Sequence, residues 1–273
     1  MSSELPIVGA AMRVADLDRN HNWILESHRD LELQDFVPAE TLEGDWQPLV
    51  DHAKQRLDGY TGRLGIHGPY KELLLDTSDP GIRDVIKRRL WQGLDVCEAL
   101  GATSMVIHSP FTTWDFHNQA GKPGVREQAY DYCHLSLDAA VKRAEDIGVT
   151  LMIENIEDVD PSWRVELAKT FNSPAVAVSI DTGHAHYAHG STGAPPVDYY
   201  VLAASQHLGH MHLQDADGYA DRHWTPGMGT IHWHAVFAAL RKTGATPRLI
   251  IEIADKTDIQ NAASWFEAQG LAR

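Results

Sequence analysis

The chain has 273 residues, an ordinary length for one α/β barrel, a fold of about 250 residues. With 43% hydrophobic residues and 21 Gly and 13 Pro dispersed along it, the composition excludes a disordered or low-complexity class. The formal net charge of −15, from 38 Asp and Glu against 23 Lys and Arg, repels a phosphate backbone and argues against nucleic acid as the main partner.

Apolar runs of four to seven residues alternate about eight times with longer amphipathic stretches, which predicts βα units and a parallel sheet. Strands are expected over residues 6–13, 31–36, 62–67, 104–108, 150–154, 176–181, 208–213 and 248–253. The intervening helices are expected over 16–28, 45–57, 79–100, 125–147, 161–170, 197–206, 234–242 and 256–269. The third is the best marked, with Ser78 and Asp79 as N-cap candidates, Pro80 in the first turn and Gly101 at the close. A long loop, 110–124, follows the fourth strand. Eight such units close a barrel, so the expected fold is a single (β/α)8 TIM barrel over residues 1–273, without linker or second domain.

Cys97 and Cys133 both fall in expected helices, which fits a reducing compartment rather than a disulfide framework. No stretch approaches the ~20 apolar residues of a membrane span, and no signal-like run follows the short polar start. A cytoplasmic protein that makes no membrane contact is expected.

Catalytic groups of β/α barrels sit at the C-terminal ends of the strands. Here those ends carry His67, His108, Glu154, Asp181, His212 and Glu252, most of them preceded by apolar residues read as barrel filling. Buried carboxylates crowded together lose hydration and repel one another, and a divalent cation removes the conflict. Glu154, Asp181, His212 and Glu252 form a hard set suited to one Mn²⁺, Mg²⁺ or Co²⁺, with further imidazoles pulling toward Zn²⁺.

A second set, His67, His108, His184, Asp221 and His223, either builds further metal positions or contacts substrate hydroxyls. His184 is placed on the turn leaving the sixth strand. Tyr70, Trp114, Phe116 and Trp224 are candidates for the walls of a sugar-sized pocket, while His186, His189, His210, His232 and His234 read as structural or exposed. Gly227-Met-Gly229 lacks the length and Lys of a phosphate loop, and no Ser or Cys stands in a nucleophile elbow.

The series Ile-His67-Gly-Pro-Tyr, Val-Ile-His108-Ser-Pro, Met-Ile-Glu154-Asn, Ile-Asp181-Thr-Gly-His184, Met-His212-Leu-Gln-Asp, Asp221-Arg-His223 and Ile-Ile-Glu252 resembles the xylose isomerase-like superfamily. That superfamily includes sugar phosphate isomerases and epimerases and the endonuclease IV (AP endonuclease family 2) group. The resemblance runs from the third strand onward.

It implies that Glu154, Asp181, His212 and Glu252 hold one divalent metal, that Glu154 and Glu252 act as an acid/base pair through an enediolate, and that the partner is a small sugar-like molecule. A homodimer or homotetramer is also implied. The endonuclease branch would map three Zn²⁺ onto all nine residues of the two sets and would cleave abasic DNA. Elimination, by a lyase or dehydratase on a keto sugar or related acid, is the remaining alternative. The acidic Gln-Asp-Ala-Asp-Gly after Leu213 disfavours a DNA-inserting loop, and His223 stands where ketohexose epimerases carry a substrate-gripping Arg. The favoured expectation is a metal-dependent isomerase or epimerase of a sugar or sugar-derived keto acid.

Overall fold

A computed structural model describes residues 5–273. Eight parallel strands, β1 (Gly9–Met12), β2 (Leu31–Leu33), β3 (Leu64–His67), β4 (Ser104–His108), β5 (Thr150–Glu154), β6 (Val176–Asp181), β7 (Leu208–Leu213) and β8 (Arg248–Ile251), close in sequence order, with β1 pairing β8. This is the expected (β/α)8 barrel. The helices are α1 (Leu17–Glu26), α2 (Ala39–Glu43), α3 (Gln47–Arg56), α4 (Pro80–Leu100), α5 (Thr113–Asn118), α6 (Val125–Ile147), α7 (Pro161–Thr170), α8 (Thr182–Thr192), α9 (Val197–Ala204), α10 (Trp233–Thr243) and α11 (Ile259–Ala268).

Where caps are strong the expected boundaries hold. Asp79 accepts the Gly81 and Ile82 amides at 2.7 and 3.2 Å to start α4, and Gly101 ends it in the left-handed region, at φ 71°. Two expectations are corrected. The segment expected as a loop contains α5, whose Thr112 cap accepts the Asp115 amide at 3.1 Å. His184 is not on a turn but in the first turn of α8, a helix absent from the expected series.

Alternation along the strands also revises which residues fill the barrel. Successive side chains of a strand face opposite sides, so Ile66, Ile107, Ile153, Ile180 and Ile251, each adjacent to a site residue, turn outward into the main apolar cluster beneath the helices. Val106, Met152 and Ile250, two positions before His108, Glu154 and Glu252, share the inward face with the site. Ala11, Glu32 and Gly65 are in register with one another on that inner face. The polar mouth therefore rests on a floor of mostly small and apolar residues, with Glu32, Ser179 and His210 set into it.

Cys97 and Cys133 are buried free thiols. Among the described residues, no helix is long and apolar enough to cross a membrane.

Candidate metal centre

Strand ends bring the first four residues together. Glu154 and Asp181 are the last residues of β5 and β6, His212 is next to last on β7 and in register with Asp181, and Glu252 follows β8 directly. All four are buried, and each offers a ligand atom within 4.8 Å of the others. His212 Nδ1 lies 2.5 Å from Glu154 Oε1 and 3.4 Å from Glu252 Oε2, so both glutamates reach one imidazole nitrogen. The Gln34 amide hydrogen-bonds the other oxygen of Glu252.

Asp181 is held from behind by a pair of hydrogen bonds with Asn155: its amide donates to Asn155 Oδ1 at 2.9 Å, and its carbonyl accepts from Asn155 Nδ2 at 3.1 Å. Its Oδ1 accepts the His184 amide at 2.7 Å and the Gln214 amide nitrogen at 3.1 Å. Its Oδ2 is buried with no partner. Burial, reinforced by the Glu154 charge against the opposing pull of His184, pushes the Asp181 carboxyl up to about 6. A buried acceptor left without a donor, in a ring of carboxylates, is the environment a cation completes.

The second set gathers on either side. His67 Nε2 and His108 Nε2 lie 3.7 and 3.4 Å from Glu154 Oε2. Across the mouth, His184 Nε2 and His223 Nε2 lie 3.3 and 3.1 Å from Asp221 Oδ2. Each trio again offers ligand atoms within 4.8 Å.

Three of these imidazoles share one feature. His67, His184 and His223 each place Nδ1 against a backbone carbonyl, of Gly68 at 3.0 Å, Asn155 at 2.9 Å and Glu252 at 3.1 Å. A carbonyl only accepts, so Nδ1 carries the hydrogen, and Nε2 is left facing carboxylate oxygens. That arrangement is stable only with a proton or a metal ion on Nε2. Burial disfavours the charged imidazoles, yet the surrounding carboxylates hold His184 well above its ordinary range and His223 up at about 9. His108 differs: burial pulls it down to about 3. Tyr70 stacks on the His108 ring at 3.9 Å between centroids.

The loop after β7 is locked by two residues the sequence reading passed over. Gln214 donates to Asp181 and, at 2.7 Å, to Asp221 Oδ1, while its side-chain carbonyl accepts the His223 amide at 2.8 Å. Asp215 accepts the Gly227 amide at 2.8 Å and the Trp233 indole at 3.0 Å, which makes Gly227-Met-Gly229 part of a loop closure and not an anion cradle. Of the proposed aromatic wall, Tyr70 alone has a ring contact with a site imidazole among the described residues. Phe116 packs on Trp163, Trp114 is 68% exposed, and Trp224 lies against Arg222.

Two further polar residues complete the floor. Glu32 on β2 is buried with Oε1 2.9 Å from His212 Nε2. His210, expected to be structural or exposed, is buried beside it, its Nδ1 2.8 Å from Ser179 Oγ. A period-two pattern, His210-x-His212 on one strand face, was the available signal.

At the opposite end of the barrel an apolar cavity of about 580 Å³ is lined by residues such as Leu5, Phe237, Leu240 and Leu271. Among the described residues, none of the groups of side chains that could share a metal ion lies there.

The sequence profile of the xylose isomerase-like TIM barrel family matches residues 30–269. The chain belongs to this family. A curated relative of this xylose isomerase-like barrel is the uncharacterized protein MJ1311 of Methanocaldococcus jannaschii, 20% identical over 270 residues, a match covering 88% of each chain. Among solved structures, the TTHB071 protein of Thermus thermophilus, soaked with ZnCl2, superposes with a TM-score of 0.71 at 23% identity, covering 97% of this chain and 99% of that one. A D-tagatose 3-epimerase-like protein gives 0.73 at 18% identity, covering 97% and 100%. D-psicose 3-epimerase from Clostridium cellulolyticum H10, solved with D-tagatose, gives 0.69 at 18%, covering 95% and 94%. At these identities the likeness concerns the fold.

Proposed function

We propose that this xylose isomerase-like barrel is a divalent-metal-dependent epimerase or isomerase of a small sugar or sugar-derived keto acid. The observation that carries the reading is the convergence of Glu154 and Glu252 on His212 Nδ1, with Asp181 completing the ring and leaving one oxygen without a partner. Solved structures of similar fold named for ketose 3-epimerases support a sugar as the substrate class. Glu154, Asp181, His212 and Glu252 are assigned as the metal-holding residues. A bound divalent ion would supply positive charge beside the substrate's carbonyl and adjacent hydroxyl oxygens, making the neighbouring C–H more acidic.

The chain's own groups do the remaining work. Glu154 and Glu252 are the proton-transfer pair, one taking the proton from carbon and the other returning one to the opposite face. Gln34 fixes one oxygen of Glu252, so its other oxygen is the one turned to the site. His184, with His67 or His108, is assigned to the substrate's hydroxyls. Tyr70, stacked on His108, lines one side of the site.

The test is solvent deuterium incorporation into candidate ketoses by metal-loaded wild type and Glu252→Gln. Exchange should fall by about 10²–10⁴-fold in the variant; undiminished exchange rejects the role of Glu252.

A second reading is favoured by the two flanking trios, His67/His108/Glu154 and His184/Asp221/His223. Together with the first four residues they form a set suited to three zinc ions, as in a phosphodiesterase of the endonuclease IV kind acting on abasic DNA. The net charge of −15 weighs against a DNA substrate. Three zinc ions per chain together with cleavage at abasic sites would decide for it.

A further inference from the structure

Glu32 is a buried carboxylate of the barrel floor that the proposed chemistry leaves unused. It lies between Leu31 and Leu33 on β2, faces inward in register with Ala11 and Gly65, and is 2% exposed. No Lys or Arg makes an ion pair with it among the described residues. Its neighbours are two imidazoles from β7, across the barrel: Oε1 is 2.9 Å from His212 Nε2 and Oε2 is 3.1 Å from His210 Nε2. The first contact has hydrogen-bond geometry. The second lies off the axis of a hydrogen bond and acts as an electrostatic contact. One oxygen of the carboxylate thus faces each imidazole, and Oε1 is placed to accept a hydrogen from His212 Nε2.

We propose that Glu32 is a positioning residue of the metal centre: it keeps a hydrogen of His212 on Nε2, so that Nδ1 is the nitrogen given to a metal ion between Glu154 and Glu252. An ionised carboxylate can only accept, and a neutral imidazole has one hydrogen to give. The ring has little freedom to turn over, since His67 stacks parallel to it at 5.7 Å and His210 meets it edge-on at 4.6 Å. His210 itself is anchored on Ser179, its register partner on β6. A carboxylate behind a metal-bound histidine is a general device for fixing tautomer and ligand basicity. Here it comes from the far wall of the barrel and is buried beyond reach of the substrate.

The inference rests on the metal reading, and two measurements separate them. Dissociation constants for Zn²⁺ and Co²⁺ are measured by chelator competition on wild type and on Glu32→Gln, whose amide can present an N–H to His212 Nε2 and so favour the wrong tautomer. A loss of about 10–100-fold, with an altered Co²⁺ absorption spectrum, is expected. The second measurement needs no variant: ring ¹⁵N NMR of zinc-loaded wild type should show His212 protonated on Nε2 and bare of hydrogen on Nδ1. Equal affinities in folded Glu32→Gln overturn the role of Glu32 while leaving the metal site standing; a hydrogen on Nδ1 in the zinc-loaded protein takes His212 out of the metal-holding set and overturns both. A wild-type protein that takes up neither ion overturns both.

Discussion

Asp181 caps a helix through His184 with one oxygen and offers the other to the site. Oδ1 accepts the His184 amide at 2.7 Å at the start of α8, and Oδ2 is buried without a partner. Asp181→Asn keeps an oxygen for the cap and removes the charge; Asp181→Ala removes both. The metal-free Asn variant should melt no lower than wild type, because a costly buried charge is gone, whereas the Ala variant should lose about 0.5–2 kcal/mol with the cap. Both should bind divalent ions far more weakly. Thermal melts with chelator competition check this, and an Asn variant that binds as tightly as wild type would show that Asp181 is no ligand.

Gln214 is an amide where a carboxylate of the same shape would fail. It donates to Asp181 and to Asp221 and accepts from the His223 backbone. Gln214→Glu turns both donated contacts into carboxylate–carboxylate encounters, at about 1–3 kcal/mol for each buried group left unsatisfied. The variant should be less stable in urea unfolding, and saturating Zn²⁺ should narrow the gap by supplying the missing positive charge. Equal stability of the two metal-free proteins would contradict the linkage.

In the loop between β3 and α4, burial raises the Asp76 carboxyl to about 6, with Asp115 adding to the effect, and its Oδ1 has no partner. For an acid whose folded value lies above the unfolded one, stability is full below the unfolded value near 4 and is lost as pH rises through about 6. Asp76→Asn should therefore raise the melting temperature at pH 8, by about 2–4 °C for each kcal/mol recovered. It should match wild type at a pH just below that unfolded value. A difference that persists at low pH would mean the effect is not electrostatic.

The barrel and the convergence of four strand-end residues were legible because both rest on period-two and helical patterns broken by strong punctuation. Pro80 and Gly101 bracket α4, and Pro161 opens α7 behind an Asp160 cap. Helix α8 escaped because it has no apolar stripe. Its buried residues are the small Thr182, Gly183, Ala185 and Ala188, and a side chain at Gly183 would collide with Gln214, or one at the exposed Gly190 with the Gly218 carbonyl. Close approach rather than hydrophobic area holds it in place. Glu32 escaped because a lone acid between two leucines reads as the solvent side of a strand. In a barrel the outer face is covered by helices, so that acid had to point inward and needed partners. Those partners, His210 and His212, belong to a strand far away in the sequence, and only the closure of the barrel brings them together.

The metal content of protein purified without added metal and dialysed against a weak chelator is the most direct measurement, taken beside the Asp181→Asn, Glu252→Gln double variant. Retention of a divalent ion by the wild-type chain and its loss from the folded double variant is the expected result. A wild-type chain that emerges as empty as the variant, and stays so when offered Mn²⁺, Co²⁺ or Zn²⁺, contradicts it.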